Sequence, residues 1–310
     1  MNTPSVKRKA SEQIGKLSHD TLDELREWQK DPEKYRPIKT NIKKLDRAIG
    51  GILEGSYVVI GGKWKSGKTT VAQHIATILG IANRGKVLYV LLEEQKRQMA
   101  IRSMTRLSPT IIRDDVRDLT LTEEDFAELD IAANMLDKVN MEVDDSLSRV
   151  QQIIDYVKDT DIQWIVIDYF QLLTDKVGRT ENERLEGISR LIVEARNKLG
   201  KTFVVVYQLG QKTGKAHGSS ALYRDADVIL EIKKGEEENT EEEIAGSMFI
   251  DVLPGRSCPG GAHVEIGFSG AHSRIMDMPV FDAENLTPIQ ETMFNPQDHI
   301  QEELDDKEES

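Results

Sequence analysis

Residues 61–70 read Gly61-Gly62-Lys63-Trp64-Lys65-Ser66-Gly67-Lys68-Thr69-Thr70, and Gly62 to Thr69 fit G-x-x-x-x-G-K-[ST], a phosphate-binding loop. The flanks agree. Ser56-Tyr57-Val58-Val59-Ile60 is an apolar run of strand length, and Val71, Ile75, Ile78 and Leu79 recur at helical spacing. A loop between strand and helix aims successive N–H groups at one point, and the helix N-terminus adds roughly half a positive charge. Gly62 and Gly67 permit the tight turn and the close approach of a phosphate. The cradle is therefore assigned to Gly62, Lys63, Trp64, Lys65, Ser66, Gly67, Lys68, Thr69 and Thr70. In such a loop the lysine, here Lys68, reaches the β/γ-phosphates of ATP, and the hydroxyl of Thr69 holds Mg²⁺. Four fixed positions arise by chance in about one chain of this length in a hundred. The strand and helix around them make chance far rarer.

On either side of the loop, strands alternate with helices. Residues 38–55 (IKTNIKKLDRAIGGILEG) form a short helix and a glycine turn leading into the first strand. Lys86 to Leu92 is a second buried strand ending in Glu93-Glu94, followed by a helix through Met104 and a loop over 107–120. Thr122-x-x-Asp125 is a capping box that opens a helix to about Lys138. Leu147, Val150, Ile154 and Val157 mark another helix. Ile162 to Asp168 is a third strand, Glu183 to Leu199 a helix, Phe203 to Gln208 a fourth strand and Asp227 to Ile232 a fifth. Two further β segments, 247–253 and 262–268, flank Pro254-Gly255 and Pro259-Gly260-Gly261. This alternation predicts an α/β fold, a mainly parallel twisted sheet with helices on both faces. The closing pair is close enough in sequence to be antiparallel. No internal repeat is present.

The α/β domain is expected over 37–282, with an N-terminal tail and linker helix at 1–36 and an acidic tail at 283–310. Residues 1–17 are polar, include Lys7-Arg8-Lys9, and read as disordered. His19 to Lys30 reads as a helix with Leu22, Leu25 and Trp28 on one side, broken by Asp31-Pro32. Such a helix can pack on its own domain or on a neighbouring subunit, and the sequence does not choose.

A chain of 310 residues has ample core for one large domain. No apolar run approaches the roughly 18 residues that cross a bilayer, and no signal core opens the chain. The lone cysteine, Cys258, excludes an internal disulfide and suits a reducing cytoplasm. Net charge is −13, but residues 236–243 and 296–310 each carry −6, so the remaining body is near neutral. Net charge therefore does not exclude a nucleic-acid partner.

In a parallel sheet a nucleotide lies beyond the carboxyl ends of the strands. Asp168 ends an apolar strand, where a carboxylate binds the Mg²⁺ shell. Glu93 ends the strand after the phosphate-loop helix and can orient the attacking water as general base. Glu94 is the rival; strand alternation points the two apart, and spacing favours Glu93. Gln208 follows Val204-Val205-Val206 and its strand at the point where a γ-phosphate can be sensed.

The run Ile165-Val166-Ile167-Asp168-Tyr169-Phe170-Gln171-Leu172-Leu173 resembles the Walker B signature of DnaB-type replicative helicases. The resemblance continues through Arg179-x-x-Asn182-x-Arg184, Ile188-Ser189-Arg190, Gln208-Leu209 and Asp225-Ala226-Asp227-Val228. Leu45-Asp46 with Gly50-Gly51 and Leu92-Glu93 match upstream. It covers about 37–280 and implies a RecA-like motor domain, Glu93 as catalytic base, and a hexameric ring with ATP between subunits. Segment 253–261 is similar to the family's lysine-glutamine-arginine finger: Arg256 matches the arginine, and Pro254 replaces the lysine. The family's N-terminal helical domain, which meets primase, is not expected in the roughly 36 residues before the core. That pattern is shared by stripped-down phage and plasmid helicases and by RecA-like recombination or repair ATPases such as RadA.

Two loops at the carboxyl side are basic in this acidic chain: 176–180, with Arg179, and 211–218, with Lys212 and Lys215. Neither holds an aromatic residue, so contact with the phosphates of single-stranded DNA is expected rather than base stacking. The histidines, His217 included, lack metal-ligand spacing. The expected activity is an ATP-dependent DNA helicase acting as a ring, with primase, a loader or a single-strand-binding protein as compatible partners. A RecA/RadA-like recombination or repair ATPase is the alternative, separated by unwinding of a forked duplex. A clock-type assembly ATPase would lack DNA-stimulated turnover, and a small-molecule kinase would have no use for Gln208 and Arg256.

Overall fold

Nine strands form one sheet in the order β3-β2-β4-β5-β1-β6-β7-β8-β9 in the computed structural model, which describes residues 13–210, 220–234 and 246–276. Residues up to Pro37 and from Ile38 onward are separate compact units. The first unit holds α1 (Ile14–Lys30) and α2 (Pro32–Tyr35), with the Trp28 and Tyr35 rings stacked 5.6 Å apart. The helix starts five residues before the expected His19. Ile14 and Leu17 extend the stripe of Leu22, Leu25 and Trp28 backward by more than a turn, and the tail reading overlooked them. None of the residues of α1 is buried within its own unit.

The second unit opens with α3 (Lys43–Ile49), ended by Gly50 in the left-handed conformation. Strand β1 (Tyr57–Gly62) is buried along its whole length and leads into α4 (Lys68–Ile81). Then come β2 (Lys86–Leu91), α5 (Lys96–Leu107), α6 (Arg113–Asp118), α7 (Glu123–Leu136), β3 (Met141–Asp144) and α8 (Val150–Val157). Strand β4 (Ile162–Asp168) is followed by a 3₁₀ turn at Phe170–Leu172, then α9 (Glu181–Leu199), β5 (Thr202–Gln208), α10 (Ser220–Asp225) and β6 (Val228–Lys234). The sheet ends in β7 (Gly246–Leu253), β8 (His263–Ser269) and β9 (Arg274–Met276).

Strands β1 to β6 pair in parallel, and β7, β8 and β9 add antiparallel rungs from β6 outward. This is the expected α/β plan. The central strands are apolar on both faces because helices cover both. On one face Val58, Ile60, Val166 and Val204 pack with Val71, Ile75 and Leu79 of α4; on the other Val59, Ile165, Ile167 and Val205 pack with Leu185, Ile188 and Ile192 of α9.

Four elements depart from the sequence expectation. The stretch 107–120 is not all loop, because the Asp115 carboxylate accepts from the Ile112 N–H at 2.8 Å and caps α6. Strand β3 is a four-residue edge strand whose half-polar MEVD sequence gives too short a run to signal itself. Helix α10 and strand β9 are similarly short. The Thr122–Asp125 capping box forms as expected, opening α7.

Candidate active site

The phosphate loop lies between β1 and α4, and packing fixes its two glycines. A Cβ on Gly67, whose φ is +92°, would lie 2.2 Å from the Met248 Cε of β7. On Gly62 a Cβ would meet the Ile232 carbonyl at 2.8 Å and the Ser66 Oγ at 2.5 Å. At Gly62 the backbone of β6 leaves no room for a side chain, and at Gly67 the left-handed φ requires glycine beneath Met248 of the antiparallel extension. Ser66 is buried, and its hydroxyl has no hydrogen-bond partner. Lys68, also buried, donates from Nζ to the Lys63 carbonyl at 2.7 Å. Burial holds its pKa below the ordinary lysine value, against the attraction of Asp168 and Glu93. Lys63, Trp64 and Lys65 form the exposed crest, with the Lys65 ammonium 4.4 Å from the Trp64 ring centroid, and Thr70 is buried below them.

Asp168 ends β4 inside the site. Burial pushes its carboxyl up to about 6, although hydrogen bonds from Tyr89 and Thr69 favour the ionised form. The Tyr89 hydroxyl donates to Asp168 Oδ2 at 2.8 Å. Thr69, Glu93, Glu94, Gln98, Arg102 and Asp168 line a cleft of about 320 Å³.

Within that cleft the two glutamates differ sharply. Arg102 grips Glu94 with both nitrogens, at 2.9 and 2.6 Å, and Gln73 Nε2 adds a third bond at 3.2 Å. Glu94 is therefore spent on a fork-shaped ion pair. Glu93 is exposed, has no ion pair or hydrogen bond among the described residues, and lies near enough to Lys68 to influence its charge. The carboxylate with free oxygens is Glu93.

This donor set fits a magnesium–nucleotide. The orphaned Ser66 hydroxyl needs a partner. The Lys68 ammonium rests on a backbone carbonyl it can exchange for a phosphate oxygen. The buried Asp168 carboxylate, with Thr69 beside it, bears a desolvation cost that a bound cation would offset.

Gln208 ends β5 opposite Gly62, and the Leu209 N–H donates to the Gly62 carbonyl at 2.9 Å, tying the strand end to the phosphate loop. Arg256 lies in the β7–β8 turn. Its N–H donates to the Ala226 carbonyl, and its half-exposed guanidinium is 3.7 Å from Asp225. No bond joins it to Thr69, Glu93 or Asp168 of its own chain. Arg179 is exposed beside the start of α9, its N–H donating to Glu183 Oε2 at 2.6 Å. Lys212 and Lys215 lie outside the described residues.

Sequence reasoning missed Tyr89, Gln73 and Arg102. Arg102 carries a faint signal, eight residues after Glu94 on the facing helix. Tyr89 carries none, since a tyrosine inside an apolar strand reads as core.

Residues 37–277 match the family described as the DnaB-like helicase C-terminal domain. The chain is 24% identical over 269 residues to the replicative DNA helicase DnaB of Geobacillus stearothermophilus, covering 81% of this chain and 59% of that protein. It thus spans little more than half the length of that relative. It is similar to a solved ATPase domain, with a TM-score of 0.74 at 19% identity over 87% of this chain and 100% of that one. A DnaB-like replicative helicase, solved for its interactions with primase, gives a TM-score of 0.70 at 18% identity over 88% of this chain and 69% of that one.

Proposed function

The chain belongs to the DnaB-like helicase C-terminal domain family, and from that premise we propose that it is the ATP-driven motor of a replicative DNA helicase, moving along single-stranded DNA as an oligomeric ring. The observation that carries this reading is the convergence of Thr69, Glu93 and Asp168 on one cleft, with Lys68 near enough to feel both carboxylates and Glu94 tied up there by Arg102.

In this reading Lys68 moves from the Lys63 carbonyl to the β/γ-phosphates of ATP, and Ser66 and the backbone of 62–70 complete the cradle. Thr69 and Asp168 hold Mg²⁺. When bound, the ion neutralises charge on the phosphates being parted. Glu93 orients the attacking water and takes its proton. Gln208 senses the γ-phosphate. Arg256, half-exposed and not part of its own cleft's lining, completes the site of the next subunit, which a hexameric ring would supply. Arg179, Lys212 and Lys215 carry the phosphates of the strand.

Primase is a compatible partner, a class met by the similar solved helicase; a loader and a single-strand-binding protein are others. The place of action proposed is the cytoplasm of a bacterial cell or phage-infected host. Among the described residues no helix is long and apolar enough to cross a membrane. Membership in a helicase family disfavours the recombination or repair ATPase. The test is ATP turnover with and without single-stranded DNA: turnover should rise with the strand, and indifference to it would contradict the motor.

A further inference from the structure

Strand β5 outruns its neighbour. The β4–β5 ladder stops at Ile167 and Val205, because the chain leaves the sheet after Asp168, whereas β5 continues beside β1 to Gln208. The backbone of Gln208 would have lost a partner on that side. The side chain of Gln171 takes its place. Gln171 Nε2 donates to the Gln208 carbonyl at 2.7 Å, and Gln171 Oε1 accepts from the Gln208 N–H at 3.2 Å. One amide thus reproduces the donor and acceptor of a strand residue. Phe170 packs beside it against Tyr207, ring centroids 6.1 Å apart.

The backbone of Gln171 is tied the other way. Its carbonyl accepts from Arg184 NH2 at 2.9 Å, and Arg184 NH1 donates to the Leu173 carbonyl. Arg184 belongs to the first turn of α9, where Glu183 accepts from the N–H of Arg179. Gln171 is therefore bonded on one side to the strand end that adjoins the phosphate loop. On the other it is bonded to the frame that carries Arg179.

We propose that Gln171 is a positioning residue that couples the basic loop at Arg179 to the nucleotide, its side-chain amide making the end of β5 and the base of that loop move as one piece. The inference rests on the motor reading above and adds to it the residue through which nucleotide state reaches the strand. A shift at Gln208 on gain or loss of a γ-phosphate must either carry Gln171 along or break two hydrogen bonds. Moving Gln171 moves Arg184 and with it the start of α9. Coupling follows only if the joined piece has different positions in the two nucleotide states, and strand affinity reports that directly.

The experiment measures affinity for a fluorescent single-stranded oligonucleotide with a non-hydrolysable ATP analogue and with ADP. Wild type, Gln171→Met and Gln171→Glu are compared. Met keeps the length and loses both bonds; Glu keeps the acceptor but sets a carboxylate against the Gln208 carbonyl. Wild type should bind more tightly with the analogue, by about fivefold or more. Both variants should bring that ratio near one, with basal ATP turnover and the KM for ATP within about threefold of wild type. A merely structural glutamine would lower the melting temperature and leave the ratio alone. If Gln171→Met fails to fold, Gln171→Glu carries the test. Folded variants that keep the wild-type ratio overturn the proposal. So does a wild type that binds the strand equally in both nucleotide states, which leaves strand binding itself intact. A wild type that binds no strand in either state overturns the motor reading, and this proposal falls with it.

Discussion

Glu93 and Glu94 are neighbours in sequence with opposite surroundings, one free in the cleft and the other held by Arg102 and Gln73. Glu93→Gln should retain ATP binding and lower turnover by about a hundredfold or more, the scale of general-base loss. Glu94→Gln leaves a partly buried guanidinium unpaired. It should cost about 1–3 kcal/mol in urea unfolding while sparing most turnover at saturating ATP. Normal turnover in Glu93→Gln with loss in Glu94→Gln would reverse the assignment. His74 of the phosphate-loop helix gives a second residue-scale outcome. It is fully buried against the Thr40 carbonyl at 2.8 Å, and burial pushes its pKa down from 6.5 to about 4. The folded state thus keeps the imidazole neutral while the unfolded chain takes up a proton. The stability is complete above about pH 6.5 and is lost as pH falls toward 4, by up to about 3 kcal/mol. His74→Gln can still donate to Thr40 without titrating. Its melting temperature should fall less than that of wild type between pH 7 and pH 5, and equal falls would contradict this account. Residue types and spacing located Lys68, Thr69, Asp168 and the pair of glutamates. They could not say which glutamate is tied up, because Arg102 reaches Glu94 through the fold.

At the scale of elements, the strands that read clearly were buried on both faces and apolar throughout, as in β1, β4 and β5. The short ones were not legible. β3 and β9 gain their identity from a neighbour's ladder rather than from their own three or four residues. The same physics hid Gln171, whose significance lies in the rung missing from β4. The basic loops were assigned by charge alone, and charge is what their test reads. Replacing Arg179, Lys212 and Lys215 with alanine should weaken single-strand binding and flatten its salt dependence. Each lost phosphate contact lowers the log–log slope by about 0.7. Basal ATP turnover should persist. An unchanged slope would remove these loops from the path of the strand.

At the scale of the molecule, one chain holds an arginine that its own cleft does not use. Arg256 rests beside Asp225 on the β7–β8 turn, half-exposed. If it acts across a subunit boundary, Arg256→Ala and Lys68→Ala should each abolish turnover alone. Mixed, they should recover part of it, because some interfaces then join an intact phosphate loop to an intact arginine. Wild-type turnover by assembled Arg256→Ala would end that role. The central claim is that ATP turnover in this cleft drives movement along DNA, and the most direct measurement is strand separation on a forked duplex. The expected result is displacement of one strand by the assembled wild-type protein with ATP and Mg²⁺, and none by Lys68→Ala. A protein that turns over ATP on the single strand yet leaves the fork intact would contradict it.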